Sequence, residues 1–89
     1  MASYYGANYS GRTARGERYD PDKLTAAHRT LPFGTRVRVT DTRSQRSVVV
    51  VVNDRGPFIK GRVLDLSLAA AKTLRMTDRG LLKVTAVVE

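Results

Sequence analysis

The sequence predicts a mainly β domain in which six short strands and one helix form a closed barrel. Two observations lead to this prediction. Apolar and polar residues alternate in several segments, which is typical of half-buried strands. Residues 48–52 are consecutive valines, a run that indicates a strand buried on both faces. An open sheet is the alternative, but a strand of that composition at a free edge would promote aggregation, so closure is favoured.

The strand segments follow one another along a chain of 89 residues, a length that suits one hydrophobic core. Residues 1–89 are therefore expected to form a single domain. In chain order the strand segments are residues 4–5, 24–27, 36–40, 48–52, 63–66 and 81–88. Residues 41–45, between the third and fourth segments, are rich in turn-forming residues, which predicts a hairpin.

One helix is predicted between the last two strands. Ser67 is a favourable N-cap residue. Ala71 and Leu74 recur at helical spacing after it and indicate one apolar face. Lys72 and Arg75 would lie in the last turn, where positive charge stabilises the negative end of the helix dipole.

The chain is strongly basic, with 16 Lys and Arg residues against 8 Asp and Glu residues and a net charge of +8. Such an excess favours an anionic partner, although a solvated basic surface is the alternative. The basic residues are dispersed and form neither a recognition helix nor an aromatic and basic motif. No nucleic-acid partner is therefore expected.

The residue types present exclude several kinds of site. There is no cysteine and only one histidine, which excludes a disulfide, a thiol nucleophile, a Cys-based zinc site and a multi-histidine metal site. The acids are few and scattered, so we expect neither a metal nor another cofactor; a carboxylate-only site for a hard cation is the alternative. No apolar run approaches the ~20 residues that span a bilayer, and no export signal is recognisable, so no membrane span is expected in this chain.

Two polar segments in the first third of the chain contain candidate functional residues. Residues 11–20 are polar and contain glycines, which predicts a loop that carries Glu17. A surface loop with weak local ion pairs is the alternative for this segment. His28 follows a strand segment, and its side chain can donate or accept a proton near neutral pH. A structural role is the alternative for this single histidine.

Two aspartates lie next to predicted strands. Asp54 follows the valine strand, whose apolar walls would favour the protonated carboxyl, whereas Arg55 beside it would favour the carboxylate. Gly56 and Pro57 indicate a turn, in which Asp54 would alternatively cap free backbone amides. Asp65 precedes the predicted helix, and the alternative is that it stabilises the helix N-terminus.

Four of these segments together resemble the rare lipoprotein A family. They are "TARGERYD", "LTAAHRTLPFGTRVRVT", "VVNDRGPF" and "GRVLDLSLAAAKTL", and with their spacing they cover roughly residues 3–88. The resemblance implies a six-stranded double-psi β-barrel with one or two short helices, related to the barrels of expansins and some endoglucanases. The family barrel has pseudo-twofold halves, and the tripeptide Asp-Arg-Gly indeed occurs twice, at 54–56 and 78–80.

The resemblance also implies an activity and a location. Characterised members are exported bacterial cell-wall proteins, and some are lytic transglycosylases. We therefore expect cleavage of MurNAc-GlcNAc bonds in peptidoglycan strands without stem peptides, to give 1,6-anhydromuramyl ends. The alternative is a non-catalytic, expansin-like module that binds peptidoglycan.

The implied location is the bacterial cell envelope, in the periplasm or at the outer membrane. A monomer is expected, since this is the default for a closed barrel.

The functional residues of the family can be placed on this sequence by its motifs. The resemblance assigns catalytic roles to Glu17, His28 and Asp54. Four further residues are expected to bind substrate: Tyr5, Asn53, Arg55 and Asp65. Two positions depart from the family pattern, since Ser10 stands where members often have a histidine and Val51 where a basic residue is common.

Overall fold

The computed structural model describes residues 1–5, 11–77 and 80–89. Ser10 and the first two residues of the second Asp-Arg-Gly tripeptide lie outside these ranges. The elements in chain order are β1 (Ala2–Tyr4), β2 (Thr25–Ala27), β3 (Arg36–Asp41), β4 (Ser47–Asp54), β5 (Leu64–Leu66), α1 (Leu68–Thr73) and β6 (Val84–Val88). Each strand overlaps one of the predicted segments, and the helix follows Ser67 as predicted.

The strands form one curled sheet in the order β1-β5-β2-β4-β3-β6. β1 runs parallel to β5 and β2 runs parallel to β4, whereas the other neighbours are antiparallel. Ala2 of β1 also forms an antiparallel bridge with Leu82, just before β6, through backbone hydrogen bonds of 2.8 and 2.9 Å. This bridge joins the two ends of the strand order, and the predicted six-stranded barrel is confirmed.

The predicted hairpin is formed by β3 and β4, which pair in antiparallel register. Its turn is organised by Asp41, a fully buried residue. The Asp41 carboxylate accepts hydrogen bonds from the Arg43 amide at 3.0 Å and the Ser44 hydroxyl at 2.8 Å. A buried carboxylate is tolerated here because turn donors solvate its oxygens.

The valine strand has one buried face, so the prediction of burial on both faces is wrong. Val48, Val50 and Val52 are buried in the core, whereas Val49 and Val51 are half-buried on the opposite face. The opposite face is only partly covered because Val51 lines a surface groove. The core itself is built from alternate strand residues and from the inner face of α1, which packs against β4 and β5.

Helix α1 begins as predicted and ends earlier than predicted. The Ser67 hydroxyl caps it by accepting a hydrogen bond from the Ala70 amide at 3.3 Å. The helix ends at Thr73, and Arg75 has a φ of +55°, in the left-handed region. The prediction that Arg75 lies in the last helical turn is therefore wrong.

The end of α1 is a Schellman motif with an arginine where glycine is usual. The Met76 amide bonds to the Ala71 carbonyl at 3.0 Å, and the Arg75 amide bonds to the Lys72 carbonyl at 3.0 Å. Met76 and Ala71 are both fully buried, so the apolar contact of the motif fixes this ending. Core packing thus forces Arg75 into a conformation that its Cβ disfavours.

We predict that Arg75→Gly raises the free energy of unfolding by about 1 kcal/mol, because glycine adopts a positive φ without strain. A gain of that size would raise Tm by about 4–8 °C in a domain of this length. Urea and thermal denaturation measure it. Arg75→Ala is the matched control, since it removes the same charge and keeps the Cβ. Equal effects of the two substitutions would contradict the explanation from backbone strain.

Candidate active site

Asp54 ends β4, and three donors from different parts of the chain hold its half-buried carboxylate. The Tyr5 hydroxyl donates to Oδ2 at 2.5 Å. The backbone amides of Ala14 and Arg55 donate to Oδ1 at 2.6 and 2.9 Å. Asp54 therefore does cap backbone amides, and it also binds a side chain from the start of the chain. Together these bonds hold the carboxyl in one orientation.

The Ala14 amide is presented to Asp54 by a tight turn within the predicted loop. The Thr13 amide donates to the Glu17 carbonyl at 2.7 Å, and the Gly16 amide donates to the Thr13 carbonyl at 2.9 Å. Gly16 has a φ of +96°, a conformation that glycine adopts at low cost. The loop is thus an ordered turn whose backbone supplies a hydrogen-bond donor to the Asp54 carboxylate.

A groove of about 280 Å³ lies between this loop and the outer face of β2 and β4. Its lining residues are Arg15, Glu17, Arg18, Asp20, Lys23, Leu24, Thr25, Val51 and Asn53. The Arg15 amide donates to the Asn53 carbonyl at 3.3 Å, which joins the loop to β4. The structure therefore brings Glu17 and Asn53 together in one groove, and Asp54 is the next residue along the strand.

The local ion pairs that were the alternative for Glu17 are not found in the described part of the chain. In that part of the chain, an ion pair is formed by Arg38 and Glu89, with 3.0 Å between Nε and Oε2. Glu17 is exposed, and the turn bond from Thr13 fixes its backbone. Its carboxylate is thus available to a molecule in the groove.

His28 anchors the turn that follows β2. Its Nδ1 accepts hydrogen bonds from the amides of Thr30 and Leu31, both at 3.1 Å. Because Nδ1 accepts, the neutral ring carries its proton on Nε2. Burial of the ring, followed by the positive charges of Arg29 and Arg55, lowers the pKa of His28 below its ordinary value of 6.5. The neutral form is therefore favoured in the folded protein.

Arg55 is directed at the same turn. Its Nη1 donates to the carbonyls of His28 and Leu31 at 3.2 and 2.8 Å. The guanidinium also lies over the ring of Phe33, 4.1 Å from its centroid. Arg55 contacts the Asp54 carboxylate through its backbone amide, whereas its side chain ties the turn at residues 28–33 to the end of β4.

Asp65 and Asp54 lie in one row across neighbouring strands. Ala27 of β2 is opposite Asp65 on β5 and opposite Asp54 on β4. Since neighbouring strands are about 4.8 Å apart, the two aspartate Cα atoms are about 10 Å apart. Ala27, which lies between them, is only 1% exposed. The Asp65 carboxylate accepts a hydrogen bond from the Ser3 hydroxyl, while the helix cap is Ser67.

Tyr19 packs beside the candidate site, and the sequence did not single it out. It is buried, and its ring centroid lies 4.6 Å from that of Tyr5. Its hydroxyl accepts a hydrogen bond from the Leu68 amide at 3.0 Å, at the start of α1. Tyr19 therefore connects the tyrosine that binds Asp54 with the helix. An aromatic residue inside an otherwise polar loop is the sequence signal that marks it.

Within the described ranges, no three His, Asp or Glu side chains lie close enough together to hold a metal ion. The helix found there, with 6 residues, falls far short of the length needed to cross a bilayer.

Residues 1–86 match the family model described as lytic transglycolase. The chain belongs to the lytic transglycolase family. This family is the one that the sequence motifs indicated, so the resemblance to rare lipoprotein A proteins is confirmed. Among solved structures, a Streptomyces papain inhibitor is similar to this chain, with a TM-score of 0.76 and 27% identity over 98% of this chain and 88% of that chain. The family and this likeness confirm the double-psi β-barrel.

Curated relatives in the family are named endolytic peptidoglycan transglycosylase RlpA. The probable enzyme of that name from Nostoc sp. is 60% identical over 87 residues, which are 94% of this chain and 24% of the relative. The protein from Neisseria meningitidis is 52% identical, over 89% of this chain and 34% of the relative. The protein from Pseudomonas aeruginosa is 52% identical, over 93% of this chain and 25% of the relative. The chain thus spans only a quarter to a third of the length of these relatives.

We predict that protonation of His28 destabilises the fold. Because the pKa of His28 is lowered in the folded state, the unfolded chain binds the proton more tightly. The stabilising contribution is complete above the unfolded value near 6.5 and is lost as pH falls through the folded value. Urea denaturation of wild type and His28→Asn, at about pH 8 and about pH 5, measures this. Asn supplies an acceptor that does not titrate, so the variant should lose less stability on acidification, and an equal loss would contradict the prediction.

Proposed function

We propose that the chain is the catalytic domain of a lytic transglycosylase. Its substrate is the MurNAc-GlcNAc bond of peptidoglycan glycan strands without stem peptides. The observation that carries the proposal is Asp54, a carboxyl held in one orientation at a strand end next to a groove. The names of relatives with 52 to 60% identity support the same activity. The corresponding location is the bacterial cell envelope.

Asp54 acts first as the acid and then as the base. Its carboxyl gives a proton to the glycosidic oxygen, and the bond from that oxygen to C1 of MurNAc breaks as positive charge builds on the sugar. The C6 hydroxyl of the same sugar then bonds to C1 and returns a proton to the carboxylate. The products are a 1,6-anhydromuramyl end and a free GlcNAc end, and no water is consumed.

The neighbouring residues divide into a group that binds substrate and a group that positions Asp54. Glu17 and Asn53 line the groove and can hydrogen-bond to sugar hydroxyls. Three basic residues of the groove attract the lactyl carboxylate of MurNAc: Arg15, Arg18 and Lys23. Tyr5 orients the Asp54 carboxyl. His28 and Arg55 hold the adjoining turn, so their contribution to catalysis is indirect.

The second candidate function is a module that binds peptidoglycan without cleaving it. The hydrogen bonds of the Asp54 carboxylate favour this alternative, because a carboxylate that caps the Ala14 amide also has a structural role. The Streptomyces papain inhibitor shows that a similar fold also occurs in a protein whose name describes an inhibitor and not a transglycosylase. The two candidates differ in one observable, the formation of 1,6-anhydromuramyl ends.

Asp54→Asn should abolish cleavage while the fold persists. The Asn side-chain carbonyl can accept the hydrogen bonds that the backbone amides of Ala14 and Arg55 donate. We therefore expect a Tm close to that of wild type. Loss of the acid and base should lower the rate by about 10²- to 10⁴-fold. Mass spectrometry of amidase-treated peptidoglycan measures the 1,6-anhydromuramyl ends.

Two further measurements distinguish the candidates. Wild type that sediments with sacculi but forms no anhydro ends would reject the enzyme in favour of the binding module. Asp65→Asn is the matched variant, because Asp65 lies in the same row and binds Ser3. Activity that survives Asp54→Asn but not Asp65→Asn would move the acid to Asp65.

Tyr5→Phe should lower kcat and leave KM nearly unchanged, because it removes the orienting hydrogen bond without touching the groove. We expect a loss of about 10- to 100-fold in kcat. The retained ring still packs against Tyr19. The matched control is Tyr4→Phe, which removes the hydroxyl that donates to the Thr77 carbonyl at 2.6 Å. A rise in KM alone for Tyr5→Phe, or equal losses in both variants, would reject the positioning role.

A further inference from the structure

The outer face of the sheet continues from the groove onto β3. Val51 of β4 lines the groove, and its partners across the sheet are Thr25 of β2 on one side and Arg36 of β3 on the other. Residues that lie opposite each other on paired strands point to the same face of the sheet. Thr25, Val51 and Arg36 therefore form one row across three strands. The first two line the groove, and Arg36 is the next residue in the row.

Arg36 is an exposed cation on this outer face. Its neighbour in sequence, Val37, is buried in the core, so alternation directs the Arg36 side chain outward. The Glu89 amide donates to the Arg36 carbonyl at 2.9 Å, but the Glu89 carboxylate bonds to Arg38 at 3.0 Å. Within residues 1–5, 11–77 and 80–89, the Arg36 guanidinium has no ion-pair partner. Its donors are therefore available to an external anion.

Arg36 lies beside the candidate acid without contacting it. Val51 and Asp54 are three residues apart on β4, which places their Cα atoms about 10 Å apart. Since Arg36 is opposite Val51 on the next strand, its Cα lies roughly 11 Å from that of Asp54. The observed donors to the Asp54 carboxylate come from other parts of the chain. This separation suits contact with a sugar that neighbours the one on which Asp54 acts.

We propose that Arg36 binds the lactyl carboxylate of a MurNAc residue beyond the cleaved bond, and so extends the substrate site across the sheet. This inference rests on the proposed function, because it takes the glycan strand as the ligand. In a strand without stem peptides, each repeating disaccharide carries one lactyl carboxylate, whereas its hydroxyl and acetamido groups are uncharged. A guanidinium can bind a carboxylate with two parallel hydrogen bonds. The basic residues of the groove bind one such carboxylate, and Arg36 binds the next.

A contact at Arg36 differs from general attraction by the basic surface. Exposed charges are largely screened beyond about 10 Å at about 0.1 M salt. Arg43 is also exposed, but it lies in the hairpin turn beyond Asp41, which is about 17 Å from Arg36 along β3. General attraction makes these two arginines equivalent, whereas a contact requires Arg36 alone. Arg43→Gln is therefore the matched control for Arg36→Gln.

Fluorescence anisotropy with labelled glycan strands from amidase-treated peptidoglycan measures the contact as a Kd. Asp54→Asn serves as the parent, so that the ligand is not cleaved. At about 0.1 M salt, adding Arg36→Gln should weaken binding by roughly 3- to 10-fold, whereas adding Arg43→Gln should leave it unchanged. An unchanged Kd for Arg36→Gln would overturn the proposal. Equal losses in the two variants would overturn it as well.

A chitin oligosaccharide of the same length supplies the ligand control. It has β-1,4-linked sugars with acetamido groups and lacks the lactyl carboxylates. The Arg36→Gln variant and its parent should therefore bind it with the same Kd. A loss of affinity for the chitin oligosaccharide as large as that for the glycan would reject recognition of the lactyl carboxylate.

Glu89→Gln supplies a test of opposite sign, which a folding defect cannot imitate. It removes the acid that lies opposite Arg36, so affinity for the glycan strand should rise by about 2- to 4-fold. The Kd for the chitin oligosaccharide should not change. An unchanged or weaker affinity for the glycan would contradict the contact, because a carboxylate beside the bound lactyl group repels it.

These binding results separate failure of this inference from failure of the proposed function. Glycan binding that depends on Arg36, in a chain that forms no anhydro ends, would reject the enzyme and keep the contact. In the cleavage assay, Arg36→Gln in the otherwise native chain should raise KM and leave kcat unchanged. Normal cleavage with an unchanged KM would reject the contact and keep the enzyme.

Discussion

The parallel pairing of β2 with β4 contains the irregularity on which the candidate active site depends. Ala26 is opposite Val52, yet the next residue, Ala27, is opposite Asp54, so Asn53 is passed over. Val52 faces the core, and strict alternation would direct the residue two positions later to the core as well. The one-residue shift instead places Asp54 in the outer row with Ala27. A carboxylate can then end an apolar strand without being buried in the barrel.

Much of the fold follows from local patterns in the sequence. The hairpin of β3 and β4 and the Ser67 cap depend on residues close together in the chain, and both were predicted. The barrel follows from the apolar composition of β4, whose free edge would otherwise invite aggregation. Family motifs added the double-psi connectivity, which alternation of apolar and polar residues does not specify.

The remaining features depend on contacts between residues that are far apart in the sequence, and local sequence patterns do not predict such contacts. Tyr5 reaches Asp54 across 49 positions of sequence. The early end of α1 arises because burial of Met76 forces Arg75 into a left-handed conformation. The apolar run of β4 indicated two buried faces, but the loop at residues 11–20 leaves a groove above Val51. In each case tertiary packing overrides a correct local tendency.

The donor from Ala14 to Asp54 is a backbone amide, and this has a consequence for how the loop can change during evolution. A hydrogen bond donated by a side chain is lost when that residue is substituted. A backbone amide remains whatever side chain the residue carries. The bridge between Arg12 and Arg18 and the turn at Gly16 set the position of that amide. Natural variation should therefore accept many side chains at position 14. Insertions or deletions between residues 12 and 18 would displace the amide, so selection should remove them. The length of the loop should therefore be conserved more strongly than its side chains.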